Sequence, residues 1–133
     1  MGLHRMRINI ETIPHPSHRY ETVGDWWIDR DGTWQIRVSE MSDWRYCLLV
    51  AFHELSEMAQ CEQLGIKEED ISAFDIQFEK ERSEGRHAPE EEPGDAENAP
   101  YRKQHFIATN VERQMSDALG VNWASYDNEV INL

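Results

Sequence analysis

The sequence has few basic residues for its length. Its 133 residues include 13 Lys and Arg against 26 Asp and Glu, so the formal net charge is −13 at pH 7. Phosphate-binding surfaces need clustered Lys and Arg, so this balance argues against nucleic-acid binding and against attachment to anionic membranes. Cationic partners, metal ions and the mimicry of DNA by carboxylates all stay open.

Long apolar runs are also absent. A helix that spans a bilayer needs about 20 predominantly apolar residues, and no segment of this chain approaches that length. Residues 1–19 mix His, Arg and Pro and have no apolar stretch of the kind found in signal peptides. We therefore expect a soluble, cytoplasmic protein.

Cysteine is scarce as well. The two cysteines, Cys47 and Cys61, fall in one predicted helix and lie roughly 21 Å apart, far beyond disulfide reach. Free thiols of this kind suit a reducing cytosol. The sequence also lacks a Gly-rich phosphate loop and a Gly-x-Ser-x-Gly elbow, so it shows no signature of nucleotide binding or serine hydrolysis.

The apolar residues that are present predict a single α+β domain over residues 1–133. Residues 6–11 alternate apolar and polar side chains, which predicts a strand, and residues 25–38 predict a hairpin turning at Asp31-Gly32. That turn would place Trp27 on one face with Ile36 and Val38. Three helices follow, over residues 43–64, 68–82 and 101–119. We expect a small N-terminal antiparallel sheet packed on these three helices.

Residues 83–100 differ from the rest of the chain. They hold three of the five prolines and six acidic residues against one Arg, a composition typical of flexible loops. We expect a flexible acidic loop whose position ahead of the third helix allows it to cover a cleft. In the tail beyond that helix, Trp123 and Tyr126 are expected to pack back onto the body.

The first helix carries the most informative polar residues. At about 100° per residue, one side of the helix carries the predicted core stripe, which consists of Leu48, Ala51, Leu55 and Ala59 together with Trp44. His53 and Glu57 lie on the other side, in surroundings that are also apolar. We therefore expect both sides of the helix to be covered, with the His and the Glu facing a pocket.

Two residues four apart on a helix project side by side, so His53 and Glu57 are suited to bind one metal ion. Glu54 directly follows the first of them, which is the place of the general base in zinc hydrolases. The alternative is a plain surface pair in which the His donates to the Glu.

Further candidate ligands lie on the other helices. His105 and Glu112 share the semi-apolar face of the third helix, so we expect His105 to be the third ligand. Glu112 is then either a residue that orients a ligand or an alternative ligand. Asp75 lies on the apolar face of the second helix, where it needs a partner such as a metal-bound His. Each of the three is alternatively a core polar group satisfied by its neighbours.

A strand, a short connection and a helix bearing His-Glu-x-x resemble, over residues 33–57, the core of the zincin metallopeptidases. Their motif is His-Glu-x-x-His, with a third ligand downstream. The resemblance implies that His53 is a ligand and Glu54 the general base, whereas Glu57 stands where the family has its second His. It therefore implies a zinc site of two His and one Glu, completed by His105. A carboxylate ligand also suits iron or manganese.

We therefore expect a metal-dependent hydrolase, a peptidase or an amidohydrolase, in which a peptide docks on residues 34–38 as an edge strand. The alternatives are a metal-binding protein without turnover and an acidic interaction protein such as a DNA mimic. The remainder of the chain resembles small phage and prophage proteins, a resemblance that implies no particular activity but fits an accessory role.

Overall fold

The computed structural model describes residues 5–133 and confirms the α+β class. Residues 1–4, the start of the segment in which no signal peptide is expected, lie outside this part of the chain. The elements, in chain order, are β1 (Ile8–Ile13), β2 (Gly24–Ile28), β3 (Trp34–Ser39), α1 (Trp44–Leu64), α2 (Glu68–Ser83), α3 (Arg102–Ala118) and α4 (Trp123–Ile131), with 3-10 turns at His15–Ser17 and Pro93–Asp95.

The three strands form one sheet in the order β1-β3-β2. β2 runs antiparallel to β3, but β1 runs parallel to it, so the expectation of an antiparallel sheet is wrong for the first strand. β1 and β2 follow each other in the chain but do not pair as a hairpin. β3 lies between them and is the central strand of the sheet. The prediction that residues 34–38 offer a free edge to a peptide is therefore also wrong.

The β2–β3 hairpin turns one residue wider than predicted. Asp29 pairs with Thr33, so the loop has three residues and ends at Gly32, whose φ of 84° favours glycine. This shift exchanges the two faces of β2, because side chains alternate along a strand. Trp26, and not Trp27, faces Ile36 across the hairpin and is buried with it.

Helix α1 has the predicted bounds but buries a different side. It begins after the cap Asp43, whose side chain accepts from the Arg45 N–H, and it ends before Gly65. Trp44 is 66% exposed and Leu48 39% exposed, so the predicted core stripe is wrong at these positions. The buried residues of the helix are Leu49, Val50, Ala51, His53, Glu54, Glu57, Met58 and Cys61. The polar motif therefore lies on the core side, facing α3 and the sheet.

The tail forms a fourth helix that was not predicted as such. Asn122 caps α4 through a bond from the Ser125 N–H, and Tyr126 is buried at 2% exposure, so the expected packing of the tail is confirmed for this residue. Both cysteines are free. None of the helices in residues 5–133 combines the length and the apolar character that crossing a bilayer requires.

Candidate metal centre

Three side-chain atoms from two helices converge at the base of a cavity. Nε2 of His53 lies 3.2 Å from Oε2 of Glu57 and 3.2 Å from Nδ1 of His105. The remaining distance, from that Nδ1 to Oε2 of Glu57, is 3.3 Å. α1 supplies the first two residues one helical turn apart, and α3 supplies the third. All three residues are buried, and they are the three predicted ligands.

A carboxylate contacts the outward nitrogen of each histidine. Nδ1 of His53 lies 2.7 Å from Oε1 of Glu112, and Nε2 of His105 lies 2.8 Å from Oε2 of Glu92. Because an ionised carboxylate only accepts hydrogen bonds, each of these ring nitrogens carries a proton and donates it. The nitrogens that face each other are then left with their lone pairs.

This cluster is unsatisfied without a positive charge. Two imidazole lone pairs and a carboxylate oxygen meet in a buried space, where unpaired acceptors are costly. Without a metal ion, extra protons supply the charge. Burial lowers the pKa of His105, but its bonds to Glu57 and Glu92 outweigh this and raise the pKa to about 10.

The pKa values of the other two residues of the cluster also shift in the direction that favours the charged form. Burial lowers the pKa of His53, yet its bonds to Glu112 and Glu57 raise it well above the ordinary value. Burial raises the pKa of Glu57, but the two histidines outweigh it and hold that pKa at about 2. The cluster therefore favours a carboxylate surrounded by positive charge, which either protons or a metal cation provide.

The triangle of donor atoms fits a small divalent ion. Ligand atoms at about 2.0–2.1 Å from a tetrahedral zinc ion are roughly 3.3 Å apart, which agrees with the observed 3.2 to 3.3 Å. Two neutral imidazoles and one carboxylate are also a donor set that zinc accepts in hydrolases, where a fourth position stays open. The chemistry and the spacing of the donors thus both suit zinc.

Glu54 lines the same cavity beside the cluster. Its carboxylate lies against the backbone of Gly24 at the start of β2, and its side chain is buried. Burial and the neighbouring Glu57 charge raise the pKa of Glu54 well above its ordinary value. A carboxyl with a raised pKa is suited to accept and return a proton near neutral pH.

The cavity has a volume of about 360 Å³, within the range of small-ligand sites. Its lining includes Asp25 and Trp26 of β2 and Trp123 and Tyr126 of α4. Acidic residues outnumber basic ones in the lining, and the segment that includes Glu90, Glu91 and Glu92 forms part of it. This segment belongs to the acidic loop, so the loop borders the cavity as expected. Its flexibility stays a prediction.

Asp75 lines the cavity but makes no hydrogen bond to a histidine within residues 5–133. Its carboxylate accepts from the hydroxyl of Tyr101 and, at 3.3 Å, from that of Tyr20. The expectation that Asp75 orients a metal-bound His is therefore wrong, because Glu112 and Glu92 occupy those positions. Burial raises the pKa of Asp75 to about 7.

Several residues of the site were missed in the sequence. Glu92 binds His105, Tyr126 donates to Oε2 of Glu112 at 2.6 Å, and Trp26 reaches Oε1 of Glu57 at 3.4 Å. Glu92 is one of many acids in an irregular segment, and no periodicity marks it. Nothing in the sequence indicates that the hydroxyl of Tyr126 belongs to the site, although the apolar spacing of the tail favours the burial of this residue.

A second acidic group shares one ligand with the cluster. Glu92 and Asp95 approach the outer nitrogen of His105, Asp95 at 3.5 Å, but both acids are exposed. His15 and His18 lie elsewhere, with ring nitrogens 2.8 and 2.9 Å from the hydroxyl of Ser39. Both histidines are half-buried.

No family model matches the chain, and comparison with curated proteins and with solved structures finds no match either.

Proposed function

We propose that the protein is a metal-dependent hydrolase of peptide or amide bonds, with zinc held by His53, Glu57 and His105. The observation that carries the proposal is the buried triangle of donor atoms, 3.2 to 3.3 Å on each side, next to the carboxylate of Glu54. A bound divalent ion would polarise a carbonyl and acidify water. Manganese and iron are the alternatives to zinc.

The chain's own residues supply the remaining functions. Glu54 takes a proton from water and returns it to the leaving amine, a role favoured by its raised pKa. Glu112 and Glu92 hold the two imidazoles in the tautomers that direct lone pairs inward. β2 is an outer strand of the sheet and lines the cavity with Asp25 and Trp26, so an extended peptide is proposed to add to this strand.

The test compares cleavage and metal content in matched variants. Zinc-loaded protein is incubated with a mixed peptide library, and new N-termini are detected by mass spectrometry. Glu54→Gln should keep bound zinc and lose at least about a hundredfold in cleavage rate. His105→Ala should lose both zinc and cleavage. Glu62→Gln, which removes an exposed acid from the helix of Glu54, should change neither.

Two outcomes would contradict the proposal. Cleavage by Glu54→Gln at the wild-type rate would remove the general base from the mechanism. Zinc-loaded wild-type protein that cleaves no peptide or amide in the library would favour the alternative, a metal-binding protein without turnover.

A further inference from the structure

Two glycines lie against the two side chains with the most demanding roles in the site. A Cβ atom built on Gly94 would overlap Cγ and Nδ1 of His105 and lie 2.8 Å from Cδ2. One built on Gly24 would lie 2.6 Å from Oε1 and 2.7 Å from Cγ of Glu54. Ordinary contacts of a Cβ are 3.4 Å or longer. Neither position therefore accepts even a methyl group unless its neighbour moves.

Backbone conformation does not explain these glycines. Within residues 5–133 the glycines with positive φ are Gly32, Gly65, Gly85 and Gly120, and neither Gly24 nor Gly94 is among them. Any residue adopts the backbone angles of these two positions without the strain of the left-handed region. The requirement for glycine comes from the close approach of the backbone to a side chain.

The two neighbours have little freedom to move away. The imidazole of His105 is a rigid ring held by Glu92 on one nitrogen and by the cluster on the other. A methyl on Gly94 would push the ring at the atom that faces the cluster. The Glu54 side chain is buried, and a methyl on Gly24 would displace its carboxylate.

We propose that Gly94 and Gly24 are positioning residues, Gly94 for the third metal ligand His105 and Gly24 for the general base Glu54. Their roles for a metal ligand and a general base rest on the proposed function, whereas the two close contacts are independent of it. Gly94 lies in the acidic segment of residues 83–100, so this segment would take part in building the site and not only in covering it.

The first experiment measures zinc affinity by competition with a chromophoric chelator. Gly94→Ala should weaken zinc binding by tenfold or more, within the range of about 10- to 100-fold found when outer partners of ligands are altered. Gly24→Ala should stay within about twofold of wild type, since Glu54 is not a ligand. It should instead lower the rate of peptide cleavage.

Gly85→Ala is the matched control for Gly94→Ala. Gly85 lies in the same segment, has a φ of 82° and has nothing within 4 Å of its Cβ position. Alanine there should lower the unfolding midpoint through backbone strain and leave zinc affinity unchanged. Equal zinc affinities in Gly94→Ala and wild type would overturn the role of Gly94.

The second experiment needs no metal and no activity. Urea midpoints of the zinc-free protein are measured in a double-mutant cycle of Gly94→Ala with His105→Ala, and in another of Gly24→Ala with Glu54→Ala. Each glycine substitution should lower the midpoint in the wild-type background and have much less effect once its neighbour is alanine. Additive effects would overturn the contacts. Coupling in a protein that binds no zinc would support the contacts while contradicting the proposed function.

Discussion

Nδ1 of His53 on α1 lies 2.7 Å from Oε1 of Glu112 on α3. The other oxygen of that carboxylate accepts from Tyr126 on α4 at 2.6 Å. A continuous line of hydrogen bonds thus joins the C-terminal helix to the ring that we propose binds the metal. Partners of this kind fix the orientation and the tautomer of a ligating histidine.

Glu112→Gln is expected to weaken zinc binding about 10- to 100-fold. The neutral amide accepts less strongly than the carboxylate and no longer fixes the proton on Nδ1 of His53. Chelator competition measures the affinity, and Glu62→Gln serves as the control because it removes an exposed acid of α1. An affinity equal to wild type would show that Glu112 does not orient the ligand.

Tyr126→Phe removes one hydrogen bond to a buried carboxylate and is expected to cost about 1.5–3 kcal/mol in the free energy of unfolding. Zinc affinity should fall less than in Glu112→Gln, since the carboxylate itself stays in place. Urea denaturation measures the loss. Tyr46→Phe is the control and should cost less. The ring of Tyr46 is tilted against that of Tyr126, with 5.3 Å between the ring centroids.

Zinc binding is expected to release protons and to strengthen as the pH rises. In the metal-free protein the pKa of His105 is about 10, so this ring carries both of its protons at pH 7.5. A ring nitrogen that binds metal cannot keep its proton. Titration calorimetry in buffers of different ionisation enthalpy should show at least one proton released per zinc ion. His105→Ala, which is expected to lose zinc, should show neither the binding heat nor the proton release. Equal heats of zinc binding by the wild type in all buffers would contradict the assignment.

The stability of Asp75→Asn relative to the wild type is expected to increase as the pH rises. Burial raises the pKa of Asp75 from 3.8 to about 7, so the folded state keeps a proton that the unfolded chain releases. The wild type therefore loses stability as the pH rises from 3.8 to about 7, whereas asparagine stays neutral throughout. Urea midpoints of zinc-free protein at pH 5 and pH 8 measure the difference. A difference between variants that does not change with pH would contradict the shifted pKa.

The first three helices could be predicted well because local signals define them. Asp43 and Gly65 mark the two ends of α1, and the structure places the helix between them. The three residues that we propose as ligands could be inferred from His53 and Glu57 at a spacing of four and from His105 on a semi-apolar face. These inferences needed only the geometry of one helix at a time.

Features that depend on tertiary pairing could not be predicted. The sequence predicts the wrong buried side of α1, because His53 and Glu57 find hydrogen-bond partners on α3 and β2 and can therefore face the core. The parallel pairing of β1 follows from a crossover that no local pattern marks. Likewise, the positions of Glu92 and Gly94 against His105 depend on the path of an irregular segment.

The most direct test of the central claim is the metal content of protein purified without a histidine tag, stripped with a chelator and then exposed to zinc. The account predicts about one equivalent of zinc per chain, and the loss of that zinc in each of His53→Ala, Glu57→Ala and His105→Ala. Less than about a tenth of an equivalent after exposure to zinc, manganese or iron would contradict a metal centre at this cluster.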